Sequence, residues 1–176
     1  MSVVTGTWIR ITDLLDRAGE WIAPLFLRII LAWEFFEAGL EKYRGSNWFG
    51  SIQDNFPFPF SVVSPDVSWL MATWFELAGG IMILLGLFTR FWAASLLILT
   101  IVAIAAVHWG VGDVWAGDVR GYQDFGEMLK GYAISNEGFG NYKLPLIYLV
   151  MFIPLILNGP GKASLDHYLR RRIAGR

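Results

Sequence analysis

Glu34, Glu37 and Glu41 recur at intervals of three and four residues in RIILAWEFFEAGLEK, residues 28–42, a stretch otherwise apolar enough for lipid. At about 100° per residue the three carboxylates fall within about 60° on one helix face, while Arg28 and Gly39 lie about 120–140° around from Glu34. Two further ionisable groups stand in apolar surroundings, Glu76 in WFELAGG and His108 in AAVHWG. An ionised side chain facing hydrocarbon costs of order 3 kcal/mol or more, so such groups are expected to face protein or water. Crowded carboxylates in a low dielectric share protons or hold a cation. The expectation is an outward-opening pocket lined by Glu34, Glu37, Glu41, Glu76 and His108, with Lys42 and Asp113 at its mouth. The alternative assigns the same residues to interhelical ion pairs such as Arg28–Glu76 or Lys42–Glu41, which makes Arg28 a structural ion-pair candidate.

These residues need helices to position them, and the composition says of what kind. Hydrophobic residues make up 55% of 176 and charged residues 16%, with nine Trp, the balance of an integral membrane protein. Four stretches are long enough to cross a bilayer, at about 21–43, 67–88, 91–109 and 142–158, with Pro145 opening the last and Pro154 near its end. Lipid offers no partner to backbone groups, so each is expected to be helical. The fold class is therefore an all-α membrane protein, a four-helix bundle in one domain of residues 1–176. Gly39, Gly79, Gly80 and Gly86 would let neighbouring helices approach closely. By helix rise, Glu37 and Glu76 are expected about 10 Å below the outer surface.

Charge in the connections sets the orientation. Arg10, Arg17, Arg90, Lys162, Arg170, Arg171, Arg172 and Arg176 fall on one side. Lys42, Arg44, Arg120, Lys130 and Lys143 fall on the other, among seven acids from Asp54 to Glu137. The positive-inside rule then places both termini in the cytoplasm and two long loops, 44–66 and 110–141, outside. The first loop is aromatic and interrupted by Pro57 and Pro59; the second is a structured cap or a lid over a ligand site. Residues 7–20 read as an interfacial helix, continuous with or angled to the first span, and LDHYLRRR as a basic surface anchor.

The order LRIILAWEFFEAGLEKY, WFELAGGIMILLGLFTRFWA, VAIAAVHWG, GNYKLPLIY and NGPGKASLD resembles the DoxX family of small four-helix bacterial membrane proteins. The family pattern matches Arg28, Gly39, Lys42, Glu76, Gly79, Gly80, Arg90 and His108. Glu34, Glu37 and the long second loop depart from its plainest members. The resemblance implies a multi-pass bacterial inner-membrane protein and an accessory role in quinone-linked oxidoreductase or oxidative-stress complexes, with a membrane or periplasmic partner protein. It also implies, in related forms, the handling of metals.

The residues narrow the chemistry. No cysteine is present, which removes disulfides, thiolate metal sites and iron–sulfur clusters. His108 and His167 fall on opposite sides, which argues against haem, and no GxGxxG follows a strand for NAD. The five Met are scattered, which argues against a soft metal, and a net charge of −1 gives no basic field for nucleic acid. A quinone exchanging protons with His108 or a glutamate stays compatible. Three readings stand: an oxidoreductase subunit, a small transporter or cation-binding protein using the carboxylates, and an assembly partner whose polar groups only fix the bundle.

Overall fold

The computed structural model describes residues 3–109, 111–113, 118–120 and 142–175, with side chains over 5–109 and 142–175. Its elements are α1 (Val3–Arg44), α2 (Pro65–Leu85), α3 (Thr89–Ala103), α4 (Lys143–Asn158) and α5 (Leu165–Ile173). A π-helical turn, Ile104–His108, continues α3, and 3-10 turns Phe49–Asn55 and Phe60–Val62 join α1 to α2. Beyond α3, β1 (Val111–Asp113) pairs antiparallel with β2 (Asp118–Arg120). Most of 110–141, on which the cap-or-lid alternatives fall, lies outside the described residues.

The protein is predominantly helical and of membrane type. α2, and α3 with its π turn, are each long and apolar enough to cross a bilayer; α4 is apolar but has 16 residues. α1 runs 42 residues, about 63 Å, twice a hydrocarbon core of about 30 Å. The expected segment 7–20 is the first part of this one helix. Four helices close a ring: α1 lies along α2, α2 on α3, α3 on α4, and α4 returns to α1. Leu31, Phe35, Ile83, Ala93, Leu96, Phe152 and Leu155 fill its centre. Trp33, Trp74, Phe91, Ile147 and Leu157 are exposed, as a lipid-facing surface requires.

Two glycines set the α1–α2 contact. A Cβ on Gly39 would stand 2.8 Å from the Leu77 amide nitrogen, and one on Gly80 3.1 Å from the Ala32 carbonyl oxygen. Such contacts let the helix backbones meet directly. Gly39→Val is therefore expected to cost about 1–3 kcal/mol through overpacking, seen as a lower unfolding midpoint of the detergent-solubilised protein; an unchanged midpoint contradicts the contact.

The end of the bundle that carries both chain termini is held by backbone chemistry. α2 stops at Gly86, in the left-handed region at φ 67°, where the Gly86 and Leu87 N–H groups donate to Ile83 and Met82 carbonyls at 3.0 Å. This Schellman closure leaves carbonyls in the last turn with capacity to spare. Arg28, 2% exposed, takes them up: its Nε donates to Ile83 O at 2.8 Å and its Nη2 to Leu84 O. Its Nη1 donates to Pro160 O at 3.1 Å and Ala163 O at 2.7 Å. The expected Arg28–Glu76 ion pair is thus corrected. A planar five-donor fork suits a cluster of carbonyls at helix ends, and Glu76 lies two turns earlier in α2.

The segment after α4 completes this joint. Asp166 accepts the Phe88 and Thr89 N–H groups at 2.8 and 2.9 Å, capping the start of α3, while its own N–H donates to Gly86 O at 2.8 Å. Pro24, inside α1, has no N–H to offer the Glu20 carbonyl. The Lys162 N–H serves that carbonyl instead at 3.0 Å, and the Lys162 ammonium pairs with the Glu20 carboxylate. Gly161 sits against Pro24, where a Cβ would meet the ring at 2.8 Å.

Candidate functional site

At the opposite end of the ring, α1, α2 and α3 diverge around a pocket of about 490 Å³. α2 enters through Ser64, whose hydroxyl accepts the Val67 N–H, and through Pro65 at the first helical position. From there Ser68, Ala72 and Glu76 follow at four-residue intervals and face inward together. Ser95, Leu99 and Val102 of α3 and Ala38, Glu41 and Lys42 of α1 supply the other walls. Close to the tight α2–α3 turn, Gly79 lets Leu96 within 3.0–3.1 Å of where a Cβ would stand. The two helices therefore touch deep in the bundle and part towards the pocket.

The pocket's deep polar feature is an ion pair. Lys42 Nζ lies 3.0 Å from Glu76 Oε1 and 2.8 Å from Oε2, so one ammonium spans both carboxylate oxygens. Glu76 is 4% exposed. It lies eleven residues beyond Pro65 in the 21 of α2, about 16 Å along the axis and hence near its midpoint. Lys42 starts a turn nearer the pocket mouth and reaches down to it. Its partner is Glu76 and not Glu41, because a buried carboxylate needs a counter-charge while Glu41 is exposed at the rim.

The roof is aromatic. Trp48, Phe49, Phe56 and Phe60 line it from the 3-10 turns. Phe49 anchors them, with ring centroids 5.1 Å from Trp48, 5.1 Å from Phe56 and 5.0 Å from Trp69. Gln53 ties the turns together by donating to Ser61 O at 2.8 Å and Val63 O at 2.9 Å. His108, half-buried, reaches the pocket from the π turn, whose extra residue per turn re-aims a side chain relative to a regular helix.

Of the residues expected here, the structure brings together Glu41, Lys42, Glu76 and His108. It does not bring Glu34 or Glu37. Glu34 accepts the Tyr148 hydroxyl of α4 at 2.5 Å. Glu37 faces outward and accepts the Trp33 indole N–H at 2.9 Å, one turn back on the same helix. The members of the carboxylate stripe meet three different surroundings, because α4 and the exterior flank the pocket wall. Among the described residues no group of three His, Asp or Glu side chains is placed to hold a metal. The side chain of Asp113 lies outside the described residues.

The pocket also holds a residue the spacing of ionisable groups did not single out. Ser68 is 6% exposed, and its hydroxyl has no hydrogen-bond partner among the described residues. Its place three positions after a proline-led helix start, in register with Ala72 and Glu76, was the available signal.

These features can be set beside known proteins. The DoxX family model matches residues 23–109, which include every residue lining the pocket. A Haemophilus influenzae protein, described as uncharacterised, is 41% identical over 153 residues, 87% of each chain. This chain belongs to the DoxX family. No solved structure matches this DoxX protein. Its family membership accounts for lipid contact and for the apolar helices, and the Arg28, Lys42 and Glu76 of the motif acquire two separate tasks: Arg28 joins helix ends, while Lys42 and Glu76 form the pair in the pocket.

Proposed function

We propose that this DoxX protein is a single-domain, multi-pass protein of the bacterial inner membrane. It crosses the bilayer with all four long helices, keeps both termini in the cytoplasm and opens its pocket towards the outer side. Its role is that of an accessory subunit of a membrane oxidoreductase or stress-response complex, binding a quinone-class molecule and working with a membrane or periplasmic partner protein. The observation that carries this reading is the Lys42–Glu76 pair, buried at mid-helix depth under an aromatic roof.

The residues fit a neutral ring bearing oxygen acceptors. Aromatic and aliphatic walls suit the ring, the Lys42 ammonium can donate to an oxygen, and the Ser68 hydroxyl is available for a second bond. A quinone, when bound, supplies electron-accepting chemistry. The chain's part is to exclude water, to orient the oxygens and to hold a proton on Glu76 or His108. The transporter or cation reading drew on Glu37 with Glu76 and His108, and Glu37 stands outside a pocket that Glu41, Glu76 and His108 line, which favours the quinone-class reading over it. In membranes, Glu76→Gln and His108→Ala are each expected to lower quinone-dependent reduction by at least about tenfold. Wild-type rates in both variants would leave a purely structural role.

A further inference from the structure

The pocket's two sides are unequal. On the roof side, Phe49 and Phe56 are buried and the 3-10 turns are tied by Gln53. On the flank where α2 and α3 part, the lining residues Met71 and Ile98 are 44% and 54% exposed. That flank faces the exterior of apolar helices, where Leu70, Trp74 and Ile101 are also exposed. The opening is therefore framed by apolar side chains from two helices that each suit a bilayer.

Ser68 adds a second observation. Thr73, Ser95 and Thr100 each donate a hydroxyl to the carbonyl four residues earlier, at 2.8, 2.9 and 2.7 Å. This is the usual way for a hydroxyl to satisfy itself in an apolar helix. Ser68 does not. Of the three buried polar atoms without a partner among the described residues, Ser68 Oγ lines the pocket, whereas Gln53 Oε1 and Thr89 Oγ1 do not. A buried hydroxyl left unpaired is costly, and a ligand oxygen would remove that cost.

We infer that the ligand enters from the bilayer between α2 and α3, past Met71 and Ile98, and that Ser68 fixes its orientation by hydrogen-bonding an oxygen of its head. Ser68 and Glu76 lie eight residues apart on one face, about 12 Å along the axis. The head therefore spans the pocket between Ser68 and the Lys42–Glu76 pair, and an apolar tail leaves through the flank. This rests on the quinone-class reading above and specifies its lipid-dissolved, tailed form.

The test uses the full chain in liposomes and two radiolabelled probes with the same dimethoxy-methyl-benzoquinone ring. One carries a ten-carbon tail and the other none, and saturable binding is counted by scintillation proximity. Ser68→Ala is expected to weaken both probes about 3- to 10-fold, the loss of one hydrogen bond. Met71→Phe with Ile98→Phe, changes on exposed positions that gel filtration should find folded, is expected to weaken the tailed probe at least about tenfold more than the tail-less one. Binding indifferent to Ser68→Ala overturns the role of Ser68, and equal effects of the double change on both probes overturn the lateral route. Saturable binding of neither probe to the wild type overturns the quinone-class reading and this inference with it.

Discussion

Arg28→Ala should yield protein that does not survive extraction as a folded monodisperse species. The substitution removes one buried side chain and takes a donor from four carbonyls, those of Ile83, Leu84, Pro160 and Ala163, of which Ile83 keeps the Gly86 N–H. Each orphaned buried acceptor costs about 1–3 kcal/mol, and folded proteins hold only about 5–15 kcal/mol in reserve. Arg28→Lys should not rescue it. An ammonium on a flexible stem cannot present donors simultaneously to the end of α2 and the segment before α5. Fluorescence-detected gel filtration checks both variants; a sharp peak and unaltered midpoint for Arg28→Ala would show that the joint is dispensable. Because this joint lies at the far end of the ring from the pocket, a partly folded Arg28 variant should lose stability before it loses ligand affinity.

Lys42→Met is expected to be the second most damaging change. It leaves the Glu76 carboxylate buried without its counter-charge, and breaking such a pair from one side costs about 3–5 kcal/mol. Adding Glu76→Leu should restore most of that loss, since an apolar pair of similar volume is often as stable as the buried ions it replaces. Thermal midpoints of the wild type, both single variants and the double variant form a double-mutant cycle whose coupling should be strongly favourable. Additive losses would mean the two side chains do not depend on each other. A rescued double variant would also separate stability from function, because it keeps the bundle while removing every charge from the deep end of the pocket.

Much of the arrangement was readable from residue types and spacing. Length and apolarity located the helical stretches, and at 100° per residue Glu34, Glu37 and Glu41 share one side of the helix α1. What angle alone does not reveal is which neighbour occupies each part of that side. Glu34 meets Tyr148 across more than a hundred residues of sequence, and Glu37 meets Trp33 one turn away. An arginine in an apolar helix asks for an acid, which is the reason to expect Arg28 in an ion pair. The geometry of α2's last turn supplied carbonyls instead, and a sequence carries no marker for orphaned backbone groups. Asp166 was similarly hidden: Ser164 caps its own helix, α5, while the neighbouring aspartate caps a different helix, α3. The partnership of Lys42 with Glu76 depended on a lysine stem long enough to reach past its own turn, which close packing at Gly39 makes possible.

The account's central claim is that the pocket around Lys42 and Glu76 holds a lipid-dissolved quinone-class molecule. The most direct measurement is the quinone recovered per folded chain after purification in native lipids, comparing wild type with Lys42→Met/Glu76→Leu. We predict that wild type retains a near-stoichiometric fraction and that the folded double variant loses at least about nine-tenths of it, as expected when both charged hydrogen bonds are removed. Equal recovery from both proteins, or none from the wild type, would contradict the claim.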